Sequence, residues 1–213
     1  MTRRTIACDM GVIIPSIRLV DNIHLAPTEY AIYIRGTEVA RYTIHASQQA
    51  AAQTVLDHLL AITAKEGTSV DMDGIDTTDP VGGHPAKWIP ADKREAAQAA
   101  GYTVIDPTTL ISGHLMAAIR QHLSILLTHD DVQKRLDYIK ETQPALVETL
   151  TRVNMNEGTI RKVLTALLAE GISIRNSSLI LEMLIEHAPQ APNKPDIPQL
   201  TAYVKAALVN PLA

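Results

Sequence analysis

From Thr128 onward the apolar residues recur at helical spacing, and successive runs open on a capping side chain. In "THDDVQKRLDYIK", Thr128 and Asp131 have the spacing of a capping box, with Val132, Leu136 and Ile139 at i, i+4 and i+7. "NEGTIRKVLTALLAEG" starts on Asn156, sets Ile160, Val163, Leu164, Leu167 and Leu168 on one face, and stops at Gly171. "ISIRNSSLILEMLIEHAP" gives a short extended piece, a cap at Asn176 and a helix ended by Pro189. The proline-rich "PQAPNKPDIP" predicts a turn or linker, and "QLTAYVKAAL" a last helix. Helices with one apolar stripe each must cover one another, so this part of the chain reads as a helical subdomain.

The preceding sequence carries a different pattern. "GVIIPSIRLVDN" offers a β-branched run interrupted by Pro15, and "EYAIYIRGTEVARYTIH" predicts a hairpin hinged at Gly36. "SQQAAAQTVLDHLLAITAKEG" has helical spacing, with Ser47 as cap and Gly67 as stop. "TSVDMDGIDTTDPVGGHP" is rich in turn-forming dipeptides and predicts an irregular loop. "AKWI" and "YTVID" read as short strands on either side of a helix that begins after Pro90 and ends at Gly101. Asp106 before Pro107 caps a further helix over "PTTLISGHLMAAIRQHLSILL", with Leu115, Ile119 and Leu126 on its apolar stripe. The predicted class is α+β.

Composition narrows the functional classes. A chain of 213 residues, 46% hydrophobic, can bury a substantial core. Its 19 Lys+Arg against 23 Asp+Glu give a net charge of −4, with no broad attraction for nucleic acid or anionic lipid. The single cysteine, Cys8, excludes an internal disulfide and a multi-cysteine zinc site, which suits a reducing compartment. No apolar run approaches the roughly 18–20 residues of a membrane-spanning helix, so a soluble, cytoplasmic chain is the expectation.

Each chemical motif has a plainer alternative. His114 and His122 lie two turns apart on one predicted helix, too far apart to ligate one ion together, and no metal site is expected. "DMDGIDTTD" resembles a calcium loop at Asp71 and Asp73, but its glycine comes early and no glutamate closes it. Ser112 and His114 suggest a nucleophile and base only by closeness in sequence, and at about 100° per residue their side chains diverge on a helix; no catalytic residue is expected. The pair of helices from Asn156 to His187 has the outline of a helix-turn-helix regulatory protein. Between Thr128 and Ala188, however, seven Lys+Arg face nine Asp+Glu, without the basic surface that reads DNA. Trp88, in a chain without phenylalanine, is expected to anchor a core.

"GIDTTDPVGGHPAKWIPADKREAAQAAGYTVIDPTTLISGHL" closely resembles the cytoplasmic export-gate region of the large flagellar and type III secretion membrane protein family. The likeness extends to "IIPSIRLVDNIHLAPTEYAIYIRGTEVA", "DVQKRLDYIKETQPALVETL", "IRKVLTALLAEGISIRNSSLILEMLIEHAP" and "YVKAAL", in the family's order. It implies a ferredoxin-like α/β unit over residues 2–46 and 106–127, a small unit inserted at 47–105, and a helical subdomain at 128–208. The resemblance further implies a nine-membered homo-oligomeric ring below a secretion channel, on the cytoplasmic side of the bacterial inner membrane. Such a ring receives export chaperone–cargo complexes and other export-apparatus proteins, and uses no cofactor, small-molecule substrate or nucleic acid. The family docks chaperones at a turn aspartate, an aromatic three residues later and a threonine before a His-Leu pair. Asp79 matches the aspartate, Gly82 stands at the aromatic, and Gly113 stands at the threonine. Relative to the family this chain is truncated, and a decayed export-gate fragment without docking activity is the plainer alternative.

Overall fold

The computed structural model describes residues 3–44, 58–62, 71–188 and 195–209, with backbone alone at 58 and 59. The chain forms two compact units, Arg18–Ala118 and Met1–Ile17 with Ile119–Ala213. The α+β class expected from the sequence is the observed one.

In the unit from Arg18 to Ala118, β1 (Glu29–Ile34) and β2 (Thr37–Thr43) form the expected antiparallel hairpin. Arg35 and Gly36 connect them with φ of 51° and 81°. Two successive positive φ values are what a two-residue hairpin turn needs, and glycine supplies the second without strain. A four-stranded antiparallel sheet follows, with β3 (His58–Ile62), β4 (Ile75–Thr78), β5 (Pro85–Pro90) and β6 (Thr103–Ile105) in the order β4-β5-β3-β6. Between β5 and β6 the chain makes a 3-10 turn at Ala91–Lys93 and helix α2 (Arg94–Ala99). Beyond β6, Asp106 caps α3 (Pro107–Gln121), accepting from the Thr109 amide at 2.9 Å.

Strand pleating builds two cores from one sheet. Leu60 and Trp88 pack with Ile44, Ala86 and Leu110 on one face, joined by Tyr30 and Tyr42 of the hairpin. Their neighbours Ala61 and Ile89 project to the other face and pack with Ala97, Met72, Tyr102 and Val104. Trp88 is 1% exposed, the core anchor its isolation among the aromatics suggests.

Two expectations fail in this unit. "HLLAI", placed in a helix running from Ser47 to Gly67, is β3; the proposed cap and stop lie outside the described residues. An inner strand buried on both sides reads as an unbroken apolar run, which periodicity cannot tell from a helix face. The expected loop before Pro85 contains β4, whose short, polar "IDTT" pairs with β5 at the sheet edge. Edge strands can stay polar because one side remains in water.

The other unit is helical. It contains α1 (Arg3–Met10), α4 (Leu123–Leu126), α5 (His129–Thr142), α6 (Pro144–Arg152), α7 (Glu157–Ala169), α8 (Ser177–Glu186) and α9 (Ile197–Val209). The strand expected after Gly11 is irregular chain, and α1 was not anticipated. The single helix expected over 107–127 breaks at His122, whose ψ of 20° ends α3 before α4 begins. Thr128 and Asp131 form the reciprocal capping box, and Asn156 and Asn176 each accept an amide of the following helix. Gly171, at φ 73°, closes α7: its amide donates to Leu168 and that of Ile172 to Leu167.

Ile160, Val163, Leu164, Leu167 and Leu168 are all buried, and α7 packs on α4, α5 and α9 while α8 packs on α6 and α9. The helices α7 and α8, which the sequence allows as a DNA-reading pair, are thus two members of a bundle sharing α9. Leu164→Ala should cost about 2–5 kcal/mol through the cavity it leaves. Tyr138→Ala, at a 67% exposed site, should stay within about 0.5 kcal/mol. Urea denaturation followed by circular dichroism would separate the two.

Candidate functional site

The loop between β4 and β5 is Asp79-Pro80-Val81-Gly82-Gly83-His84. Its ends are tied by Asp79 N–H donating to His84 O at 2.8 Å and Gly83 N–H donating to Asp79 O at 2.9 Å. Inside that frame the Asp79 carboxylate accepts from the Val81 amide at 3.0 Å and from the Gly82 amide at 2.7 Å. Asp79 is only 6% exposed. Its two oxygens are spent on the backbone of its own loop, so it shapes the rim and presents little charge on it.

The structure brings the three sequence-derived positions together. Asp79 grips Gly82, and the nearest atom to a Cβ at Gly113 would be Val81 Cγ2, 3.7 Å away. The loop therefore lies against α3 at Gly113. The two glycines are not equivalent. A Cβ on Gly82 would meet His84 Cδ2 at 2.6 Å and Asp79 Oδ2 at 3.0 Å, so any larger residue there requires the His84 ring to move. At Gly113 a Cβ has ordinary van der Waals room. Val81, 46% exposed, is the apolar group this surface offers. Neither Val81 nor His84 was singled out from sequence, although both lie inside the quoted Asp-Pro turn.

Behind the loop, His114 turns into the unit and is 7% exposed. Its Nδ1 and the Tyr30 hydroxyl share a 2.8 Å hydrogen bond, and its ring meets Tyr30 and Tyr42 edge-on at centroid distances of 5.7 and 6.2 Å. Tyr42 in turn donates to Thr78 O at 3.0 Å, next to Asp79. Burial pushes the His114 pKa down, opposed by the Asp79 carboxylate, and burial pushes both tyrosines up. A buried network of this kind locks the hairpin, the loop and α3 in one arrangement. The Nδ1 of His114 is thus engaged with Tyr30 inside the unit, while Ser112 is exposed. Among the described residues no three His, Cys, Asp or Glu side chains are grouped to hold a metal, and no helix is long and apolar enough to cross a membrane.

The combination of small sheets with a helical bundle is the fold of CdsV of Chlamydia pneumoniae, solved in complex with CdsO, and of nonameric SctV-C from EPEC. The CdsV structure superposes with a TM-score of 0.74 at 22% identity, covering 97% of this chain and 59% of that one. For SctV-C the TM-score is 0.65 at 17% identity, covering 97% and 58%. The chain belongs to the FHIPEP family, whose family model matches residues 1–213. A curated relative, the flagellar biosynthesis protein FlhA of Bacillus subtilis, is 37% identical over 208 residues, 98% of this chain. The chain spans 29% of that relative's length.

Asp79→Ala should lower the stability of this unit by about 2 kcal/mol or more, because two amide donors lose a charged acceptor. Asp79→Asn should lose less, and urea unfolding measures both. His114 gives a pH signature. Its folded pKa lies below the free value of 6.5, so the unfolded chain takes up the proton first as pH falls. The stability from the neutral ring is intact above about pH 6.5 and is lost as pH falls below it. The unfolding midpoint of His114→Gln should thus fall less between neutral pH and mildly acidic pH than that of the parent chain.

Proposed function

We propose that this chain is part of the cytoplasmic portion of a flagellar or type III protein-export gate, and that it docks chaperone–cargo complexes at the Asp79 loop and the adjoining face of α3. Asp79, Gly82 and Gly113 frame the docking surface, with Val81 as its apolar contact. The observation that carries this reading is the placement of the loop: a buried carboxylate holds it against α3 and leaves Val81 and two glycines outward. Family membership supplies the export context.

In the longer protein this portion contributes to a homo-oligomeric ring on the cytoplasmic side of the inner membrane and contacts other export proteins. The nonameric state of SctV-C and the CdsV–CdsO complex, together with the shared fold, support that part of the reading. The role is one of binding, without chemistry or cofactor. The division proposed from the family resemblance puts residues 2–46 and 106–127 in one subdomain, 47–105 in an insertion and 128–208 in a helical subdomain, and it cuts across the two compact units. The hydrogen bond between Tyr30 and His114 supports grouping the hairpin with α3.

Isothermal titration of the chain with a chaperone–cargo complex from the same organism tests the docking site. Saturable binding is expected, and Val81→Glu should weaken it by tenfold or more, since an apolar contact at the centre of an interface is worth about 2 kcal/mol. No binding by a folded chain, or binding indifferent to Val81→Glu, would remove this surface from the reading.

A further inference from the structure

In the helical unit, the C-terminal end of α1 meets the joint between α7 and α8. Ile174 N–H donates to Met10 O at 3.0 Å and the Ser173 hydroxyl to Asp9 O at 2.5 Å. Gly11 turns at φ 76°, and a Cβ there would lie 2.7 Å from the Arg175 Cα, so the two backbones touch. Arg135, from α5, closes this junction. Its guanidinium donates to Gly11 O, to Ile174 O at 3.1 Å and to the Ser177 hydroxyl at 2.5 Å.

Every one of those acceptors is neutral. The Arg135 Nε is buried and has no hydrogen-bond partner among the described residues. The Asp131 carboxylate, one turn earlier on α5, accepts from the Thr128 amide and hydroxyl at 2.9 and 2.6 Å. Burial accordingly pushes the Arg135 pKa down, with only the field of Asp131 opposing it. A half-buried guanidinium normally finds a carboxylate or phosphate. Here it finds none.

The same side chain lines a cleft of about 360 Å³ together with Arg175, Ser177, Ser178, Tyr138 and Ile139. No carboxylate lines it, in a chain whose net charge is −4. Arg175 is exposed, and its guanidinium has no hydrogen-bond or ion-pair partner among the described residues. The N-terminus of α8 is not the source of the attraction, because Asn176 already accepts the Leu179 amide.

We propose that this cleft binds a phosphate-class oxyanion, held between Arg135 and Arg175 with the Ser178 hydroxyl as a further donor, the Ser177 hydroxyl being already donated to Ile174 O. Two guanidinium charges match a dianion, and three donor groups match a tetrahedral anion better than a single carboxylate. Tyr138 and Ile139 line the remainder of the cleft, which is larger than phosphate alone. The phosphoryl group thus comes either as free phosphate or carried on a small molecule whose apolar part meets these two side chains. This site is independent of the docking surface proposed above.

Nuclear magnetic resonance titration of the 213-residue chain, at matched ionic strength, tests the assignment with two probes, inorganic phosphate and adenosine monophosphate. Saturating shifts are expected at the amides of Arg175, Asn176, Ser177 and Ser178. Arg175→Ala, an exposed change that leaves the fold intact, should weaken binding by about tenfold or more, and Ser178→Ala less. Tighter binding of the nucleotide than of phosphate assigns the phosphoryl group to a larger molecule, and equal binding assigns free phosphate. Shifts that do not saturate, lie elsewhere, or persist unchanged in Arg175→Ala overturn the proposal.

Discussion

The packing of Trp88 is the constraint on which the β-containing unit depends. With no phenylalanine in the chain, this one indole contacts the sheet, the hairpin and α3 in a single cluster with Ile44, Leu60, Ala86 and Leu110. A side chain of that size buries ~150–250 Å² and is worth several kcal/mol. Its position in β5 also fixes the pleat: once Trp88 faces α3, Ile89 must face Ala97 of α2. The loop that leads into β5 starts from this strand, so its position relative to α3 follows from the same packing.

That dependence explains how a shallow surface can be held in place without large side chains on it. The Asp79 carboxylate organises the loop amides from within, and the pair of Tyr30 and His114 fills the space behind. Both are buried polar groups with satisfied partners, which favour one arrangement over alternatives. The loop backbone is therefore held by its own side chains, so a partner docking there as proposed would spend little on ordering it.

Much of this fold was legible in the sequence because local signals and tertiary packing agree. The caps at Thr128, Asn156 and Asn176, the Gly171 stop and the α7 face each depend on residues within a few positions, and all are as read. Where they disagree, the reading fails for physical reasons. Strand β3 is apolar on both sides because both cores need it, which erases the alternation that marks a strand. α1 has little apolar content beyond Ile6 and Met10, and its docking rests on backbone carbonyls at Asp9, Met10 and Gly11 that no side-chain pattern records. At the candidate site the position of Asp79 was readable from its turn and from the family resemblance. The inward direction of its carboxylate was not, since it depends on the path of Pro80 to Gly83.

Gly82 and Gly113 show how identity at a position and space at a position differ. Both lack a side chain where the resemblance implies an aromatic and a threonine, yet only Gly113 has room for one. At Gly82 the volume next to the Cα is taken by the His84 ring, two residues along the same loop. Restoring an aromatic there would displace His84 and crowd the carboxylate that holds the loop, so a single change at 82 works against the frame that presents it. The glycine and the histidine thus form one packing solution. A partner docking at the proposed surface would meet Val81 and the His84 edge in place of a projecting aromatic.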